Sequence, residues 1–248
     1  MKTISAINLK GGVGKTTIAV NTAHTLSKRY GARVLLIDND KQANATSFFK
    51  AKQEDQVTIS DVLADVKTDI REAIQKTAYE NLDIIACDYS LPTAIEMVMQ
   101  DTVNPQHDRY QKALEKIKNS YDICIIDNPP DTNIAVLNAL VVTDEVIIVA
   151  TPDQYSLQGM QEMQNYIDSA RFYKNNLLFR GCLLNHFIKT PNSFKVKAQI
   201  RNNYPVFNTN IRYTKDKLNI KVPITELSPN CGFSIDIKRF VKELIGEK

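Results

Sequence analysis

The residues that could do chemistry begin eight positions into the chain. Asn8-Leu9-Lys10-Gly11-Gly12-Val13-Gly14-Lys15-Thr16-Thr17 follows the apolar run Ile4 to Ile7 and precedes Ile18-Ala19-Val20-Asn21-Thr22-Ala23-His24-Thr25-Leu26. The first run reads as a short buried strand and the second as a helix. Strand, glycine loop and helix make the context a phosphate-binding loop requires. Glycines reach backbone angles that other residues resist and let their N–H groups point inward. The helix N-terminus adds partial positive charge. In such a loop Gly11, Gly12, Val13, Gly14 and Thr17 surround the phosphates, Lys15 reaches the β- and γ-phosphates, and the Thr16 hydroxyl ligates Mg²⁺. A lysine in so crowded a loop needs an anion to offset its desolvation.

Two carboxylates close apolar runs further on. Ala32-Arg33-Val34-Leu35-Leu36-Ile37-Asp38 reads as a buried parallel strand ending in an acid. The carboxyl end of a strand beside a phosphate loop is where ligands bind in such sheets. Tyr121-Asp122-Ile123-Cys124-Ile125-Ile126-Asp127-Asn128-Pro129-Pro130 repeats the pattern. It is the Walker B pattern, in which Asp127 holds Mg²⁺ through a water, since that ion keeps much of its hydration shell.

The loop departs from the common G-x-x-x-x-G-K-[ST] text: Leu9 stands where glycine is usual, and a second lysine, Lys10, heads the loop. Lys-Gly-Gly-Val-Gly-Lys-Thr is the deviant Walker A signature, and the chain resembles the ParA/MinD family of ATPases over essentially its whole length. It looks most like the short, Soj-like ParA partition ATPases. Asp38, Asp40, Gln42 and Asn44 match the family's D-x-D-P-Q-x-N, with Lys41 in place of proline, and Asp127-Asn128-Pro129-Pro130 matches its Asp-x-Pro-Pro. The resemblance implies ATP and Mg²⁺ as cofactors. It implies that Lys10 reaches across a dimer interface to the partner's nucleotide and that Asp38 orients and activates the attacking water. Asp38 is also a candidate to hold Mg²⁺ through water. Asn185, after the apolar run Leu177 to Leu184, takes the family's adenine-recognition position; its amide offers both a donor and an acceptor, and local capping is the alternative. Val206 to Arg212 resembles the segment that covers the base, with Arg212 where many relatives carry proline.

The activity this implies is a slow, partner-stimulated ATP hydrolysis that serves DNA partitioning. An ATP-bound homodimer would bind DNA without sequence preference and be released by hydrolysis, stimulated by a ParB-type centromere-binding protein. Lys10 and Lys15 would hold the transferring phosphoryl group electrostatically. The alternatives are a MinD-like ATPase positioned on a membrane and a nucleotide-switched regulator or scaffold.

The elements that must position these residues follow from apolar patterning. Further strands are expected at Leu82 to Ala86, Glu145 to Pro152 and Leu177 to Leu184, and helices at Ser90 to Glu96, Tyr110 to Ile117 and Ser156 to Phe172. Strands alternating with helices imply right-handed crossovers and a mostly parallel twisted sheet with helices on both faces, an α/β P-loop NTPase fold. At 248 residues, with 43% hydrophobic and 24% charged content, one domain over residues 1–248 is the economical reading. Residues 50–80 are polar and read as a surface excursion with short helical patterns at Ile59 to Ala64 and Ile70 to Lys76. The four cysteines lack C-x-x-C spacing and read as reduced core residues. The three scattered histidines suggest no metal cluster, and His186 reads as a bystander. Residues 134–150 are interrupted by Asn138, Thr143, Asp144 and Glu145, unlike a membrane span. The first residues already read as the first strand, so no signal peptide is expected. A cytoplasmic, nucleoid-associated protein is expected.

Charge is uneven. Residues 171–248 carry 15 Lys and Arg against 5 Asp and Glu, although the whole chain is only +3. A basic C-terminal third suggests a polyanion-binding face, or else a solvated basic surface. The candidates for DNA contact are Lys189, Lys195, Lys197, Arg201, Arg212, Lys215 and Lys217. The last helix, Phe233 to Ile245, has Ile237, Phe240, Val241, Leu244 and Ile245 at core-docking spacing. Membrane attachment is therefore not expected.

Overall fold

The computed structural model describes residues 1–51, 55–153, 155–214 and 221–247; Lys215 and Lys217 lie outside the described residues. The strands are β1 (Lys2–Ile7), β2 (Val34–Asp38), β3 (Ile74–Lys76), β4 (Leu82–Ile85), β5 (Ile123–Asp127), β6 (Glu145–Ala150) and β7 (Leu178–Leu184). They form one sheet in the order β3-β4-β2-β5-β1-β6-β7. All pairings are parallel except β3 with β4. The fold class expected from the alternation of patterns is the one observed.

The inner strands β2, β5 and β6 carry continuous apolar runs because both sheet faces are covered there. Within β2, Val34 and Leu36 enter one core, while Leu35 and Ile37 enter the opposite one. On the first face lie α1 (Lys15–Tyr30) and α10 (Gly232–Ile245), with α2 (Asn44–Phe49) at the edge. The second face carries α3 (Ile59–Ala64), α4 (Leu91–Gln100), α5 (Arg109–Glu115) and α6 (Ile134–Val142). Beyond α6, α7 (Tyr155–Ala170) and α8 (Pro191–Asn203) cover β6 and β7. A single-turn helix, α9 (Ile224–Leu227), packs beside α1.

Parallel pairing brings the functional strand ends to one edge. Asp38 is the register partner of Asp127 in β2 and β5, and Asp127 is the partner of Ala6 in β1. The glycine loop leaves β1 one residue past that row. β1 is an interior strand between β5 and β6, so the loop emerges between neighbours that can both supply side chains.

The described part of residues 50–80 is not a surface excursion. Ile59, Val62, Leu63, Ile70 and Ala73 are buried in the second core. The i, i+3, i+4 spacing of Ile59, Val62 and Leu63 makes a narrow apolar stripe, and the polar residues around it give the segment a composition like that of an exposed loop. Residues 74–76 are also not helical: they pair antiparallel with β4 as the sheet edge, so tertiary pairing overrides local pattern.

The last helix docks as expected. Ile237, Phe240, Val241 and Leu244 are buried in the core shared with α1, and Phe240 meets Phe207 edge-on at 5.0 Å. Ile245 is the exception and remains exposed. Among the described residues, no helix is long and apolar enough to cross a membrane.

Candidate functional site

The glycine loop has the torsions its sequence requires. Gly12 and Gly14 have φ of +74° and +89°, in the left-handed region that favours glycine. Gly14 is restricted twice over, because a Cβ there would lie 2.3 Å from the Asn185 side-chain nitrogen. α1 starts directly after it, at Lys15.

Two asparagines hold the loop. Asn8 donates from Nδ2 to the Val149 carbonyl at 2.7 Å and accepts the Lys10 N–H at 2.9 Å. Asn185 donates from Nδ2 to the Val13 carbonyl at 2.8 Å, and its own N–H donates to the Ala150 carbonyl. The Asn185 Oδ1 is buried and has no hydrogen-bond partner among the described residues. Asn185 thus ties the end of β7 to the loop and keeps one acceptor unused.

The two lysines differ in setting. Lys15 is buried and donates to the Asn8 carbonyl at 3.1 Å and the Lys10 carbonyl at 3.5 Å. Burial lowers its pKa from the ordinary lysine value, and the charges of Asp127 and Asp40 oppose that shift. Lys10 is exposed and ion-paired within its own chain to Asp153 at 2.6 Å. The Thr151 hydroxyl also donates to that carboxylate.

The carboxylates form two layers. Asp38 and Asp127 are enclosed, with 0% and 1% exposure. Burial is the largest cause pushing both pKa values up, Asp38 to about 6 and Asp127 to about 8. For Asp127 the neighbouring Asp38 charge adds to the rise, while Thr16 and Lys15 oppose it. Neither Asp127 carboxylate oxygen has a hydrogen-bond partner of good geometry among the described residues. Two buried, unmatched carboxyl oxygens beside Lys15 and Thr16 are a donor set that a hydrated divalent cation fits, its charge favouring the ionised form.

Asp38 is less open than its expected role demands. Its Oδ2 accepts from the Thr46 N–H and the Thr46 hydroxyl, both at 2.8 Å, and its Oδ1 accepts the Asp40 N–H at 3.2 Å. It does not line the cleft; Asp40 does. The chain turns out of β2 after Asp38, leaving that side chain under the sheet edge and carrying Asp40 outward.

The cleft has a volume of about 550 Å³, within the ordinary range for small-molecule sites. The glycine loop and the start of α1 form its floor, with Asp40, Phe48, His186 and Ile224 around it. His186 thus lines the cleft. Its φ is +53° and its ring meets Tyr213 edge-on at 5.5 Å. Asn21 also lines the cleft and accepts the Thr225 N–H at 3.1 Å, fixing α9 against α1. No spacing in the sequence singles out His186, Asn21 or Asp153. Thr46 does carry a local signal, a hydroxyl residue near a helix start eight positions after a strand-ending acid.

The basic candidates divide. Lys189, Lys195 and Arg201 are exposed on or beside α8. Lys197 is half-buried and donates to the Asn208 carbonyl at 3.0 Å and Asn210 Oδ1 at 2.8 Å. Arg212 does not present a free cation: its Nε and Nη2 clasp the two oxygens of buried Asp236 at 2.7 and 2.9 Å. The Asp236 carboxylate on α10 is buried and depends on that partner, while the Arg212 side chain itself stays about half exposed.

Comparisons with known proteins agree with this geometry. A family model described as AAA domain matches residues 1–179. The chain is 37% identical over 185 residues to the sporulation initiation inhibitor protein Soj of Bacillus subtilis, covering 74% of this chain and 72% of the relative. It is 30% identical to a ParA family protein of Chlamydia pneumoniae, covering 99% of this chain and 98% of that one. Among solved structures, cobyrinic acid a,c-diamide synthase from Mycobacterium smegmatis with bound ADP and magnesium superposes with a TM-score of 0.86. That match has 22% identity and covers 99% of this chain and 94% of the other, a likeness of fold.

Proposed function

The chain belongs to the ParA/Soj family of P-loop ATPases, and from that premise we propose that it is an ATP-dependent DNA-partitioning ATPase. Its ATP-bound form is a two-chain sandwich that binds DNA without sequence preference. Hydrolysis, stimulated by a ParB-type centromere-binding protein, separates the chains and releases the DNA. One observation carries this reading: Lys10, Lys15, Asp40 and Asp127 gather around a glycine loop at the carboxyl edge of a parallel sheet, beside a cleft large enough for a nucleotide.

ATP and Mg²⁺ suit the residues present. The loop N–H groups and the α1 N-terminus receive the phosphates, and Lys15 reaches the β- and γ-phosphates. Thr16 and Asp127 hold the cation, Asp127 through a water, and Asp38 supports it from behind. Bound Mg²⁺ supplies charge neutralisation at the phosphate oxygens. The solved relative with ADP and magnesium supports this pair of cofactors. The water-orienting role that the resemblance gives to Asp38 suits Asp40 better, because Asp40 lines the cleft and Asp38 is enclosed behind it. Asn185 offers its spare Oδ1 to the adenine amino group. Lys10 exchanges Asp153 for the partner chain's phosphates.

DNA contact falls to the exposed cations on and beside α8, Lys189, Lys195 and Arg201, through counterion release at phosphates. The membrane reading has no supporting observation, because the apolar stripe of α10 is buried against α1. The test is ATP turnover measured with and without DNA and a centromere-binding partner, together with sedimentation of the ATP-bound chain. A chain that turns over no ATP and stays monomeric with ATP and Mg²⁺ at every concentration would reject the reading.

A further inference from the structure

Thr46 stands eight residues after Asp38, at 2% exposure. It grips one oxygen of Asp38 twice, through its N–H and its hydroxyl. The direction of the hydroxyl bond is determined. The Cys87 N–H, just past the end of β4, donates to Thr46 Oγ1 at 2.9 Å. An amide can only donate, so the threonine oxygen accepts there and spends its single proton on Asp38. The other oxygen of Asp38 accepts the Asp40 N–H. Donors thus converge on the Asp38 carboxylate from two sides, the Cys87 N–H acting through the Thr46 hydroxyl on one oxygen and the Asp40 N–H on the other.

These bonds close the loop of residues 38–46 on itself. The loop carries Asp40, Gln42 and Asn44, and all three line the cleft. Gln42 is tied in as well, its N–H donating to Asp40 Oδ1 at 2.9 Å. A carboxylate torsion is soft, since sp³–sp² rotations have broad wells. Without the two-point grip, Asp38 can turn, and the Asp40 backbone loses its anchor. We propose that Thr46 is a positioning residue for hydrolysis, a latch that joins the start of α2 to β4 and holds the 38–46 loop so that Asp40 meets the attacking water. The phosphate loop is built from β1 and α1 and does not depend on this latch. Nucleotide binding and the hydrolytic step are therefore separable at Thr46. The inference rests on the ATPase reading given above.

The experiment compares the wild-type chain with Thr46→Val, Thr46→Ser and Asp40→Ala, using ATP and Mg²⁺ in the presence of DNA. Valine keeps the shape and the backbone N–H but removes the hydroxyl; serine keeps the hydroxyl. Equilibrium ATP binding is measured first, and a variant that binds ATP is folded at the site. Should Thr46→Val fail to bind, Thr46→Ala replaces it as the hydroxyl-free variant. Thr46→Val is expected to hold ATP affinity and KM within about threefold while kcat falls about tenfold or more, the scale of a lost hydrogen bond to a charged group. Thr46→Ser should restore kcat. An unchanged kcat in Thr46→Val, or a serine variant as slow as the valine one, overturns the latch. Full turnover in Asp40→Ala would instead overturn the ATPase reading of this loop, whatever Thr46 does.

Discussion

The ammonium of Lys10 and the carboxylate of Asp153 lie 2.6 Å apart within one chain, joined across 143 positions of sequence. The loop lysine proposed to reach a partner chain is occupied at home. β1 and β6 are neighbours in the sheet, so the segments leaving their carboxyl ends meet at the same edge.

Both members of this pair are partly exposed, and such pairs contribute roughly 0.2–1 kcal/mol. A dimer releases two such pairs, so Asp153→Asn is expected to strengthen ATP-dependent dimerisation by no more than about thirtyfold, about fivefold for each pair. Lys10→Ala should keep ATP binding in the monomer and lose the dimer. Analytical ultracentrifugation with a non-hydrolysable analogue reads both, and a normal ATP-dependent dimer in Lys10→Ala rules out the cross-chain role.

Lys15→Ala is expected to abolish measurable nucleotide affinity without unfolding the chain. In the nucleotide-free protein Lys15 is a desolvated cation, so its removal costs little stability, whereas the phosphates lose a buried charge-assisted partner. Isothermal titration with ATP and a melting curve test the two halves. Retained affinity would remove the site assignment.

Asp127 should make the nucleotide-free protein less stable as pH rises. Its carboxyl is pushed up to about 8 by burial, and that of Asp38 to about 6; in an unfolded chain both lie near 4. Between those limits the folded state binds more protons than the unfolded one, so stability falls with rising pH across the window from about 4 to about 8. Asp127→Asn should flatten this slope and raise the melting temperature at pH 8.5, each kcal/mol corresponding to about 2–4 °C for a chain of this size. Equal slopes in the two proteins would contradict the buried-charge account.

The basic residues should separate into two classes. Replacing Lys189, Lys195 and Arg201 with alanine is expected to weaken DNA binding and reduce its salt slope by about 0.9 for each phosphate that is no longer neutralised. Arg212→Ala should act on stability instead. It leaves the buried Asp236 carboxylate without its guanidinium partner, a loss of about 1–3 kcal/mol. Binding measured over a salt series, beside denaturant unfolding, distinguishes the classes. An Arg212 variant that is normally stable but weak on DNA would reverse them.

The local parts of the site are written in the chain. Glycines at 12 and 14, the lysine at 15 and the acids ending β2 and β5 act through backbone torsion and strand position, which near neighbours in sequence dictate. Continuous apolar runs likewise specify buried parallel strands, and the sheet follows from their alternation with helices. The burial of Ile59, Val62 and Leu63 is hard to read from sequence because a three-residue stripe among charges carries little periodic signal.

Residue order alone therefore specifies the phosphate loop, the two strand-ending carboxylates and the parallel sheet behind them. Which charges are already spent, and which acid faces the cleft, is settled by packing in three dimensions. Lys10 answers to Asp153, Arg212 to Asp236, and Asp38 to Thr46, itself held by the Cys87 N–H, leaving Asp40 at the cleft. The reason is physical. Torsional preference and hydrophobic periodicity act over a few residues, but the partner of a charge is set by strand order, which brings together segments far apart in the chain.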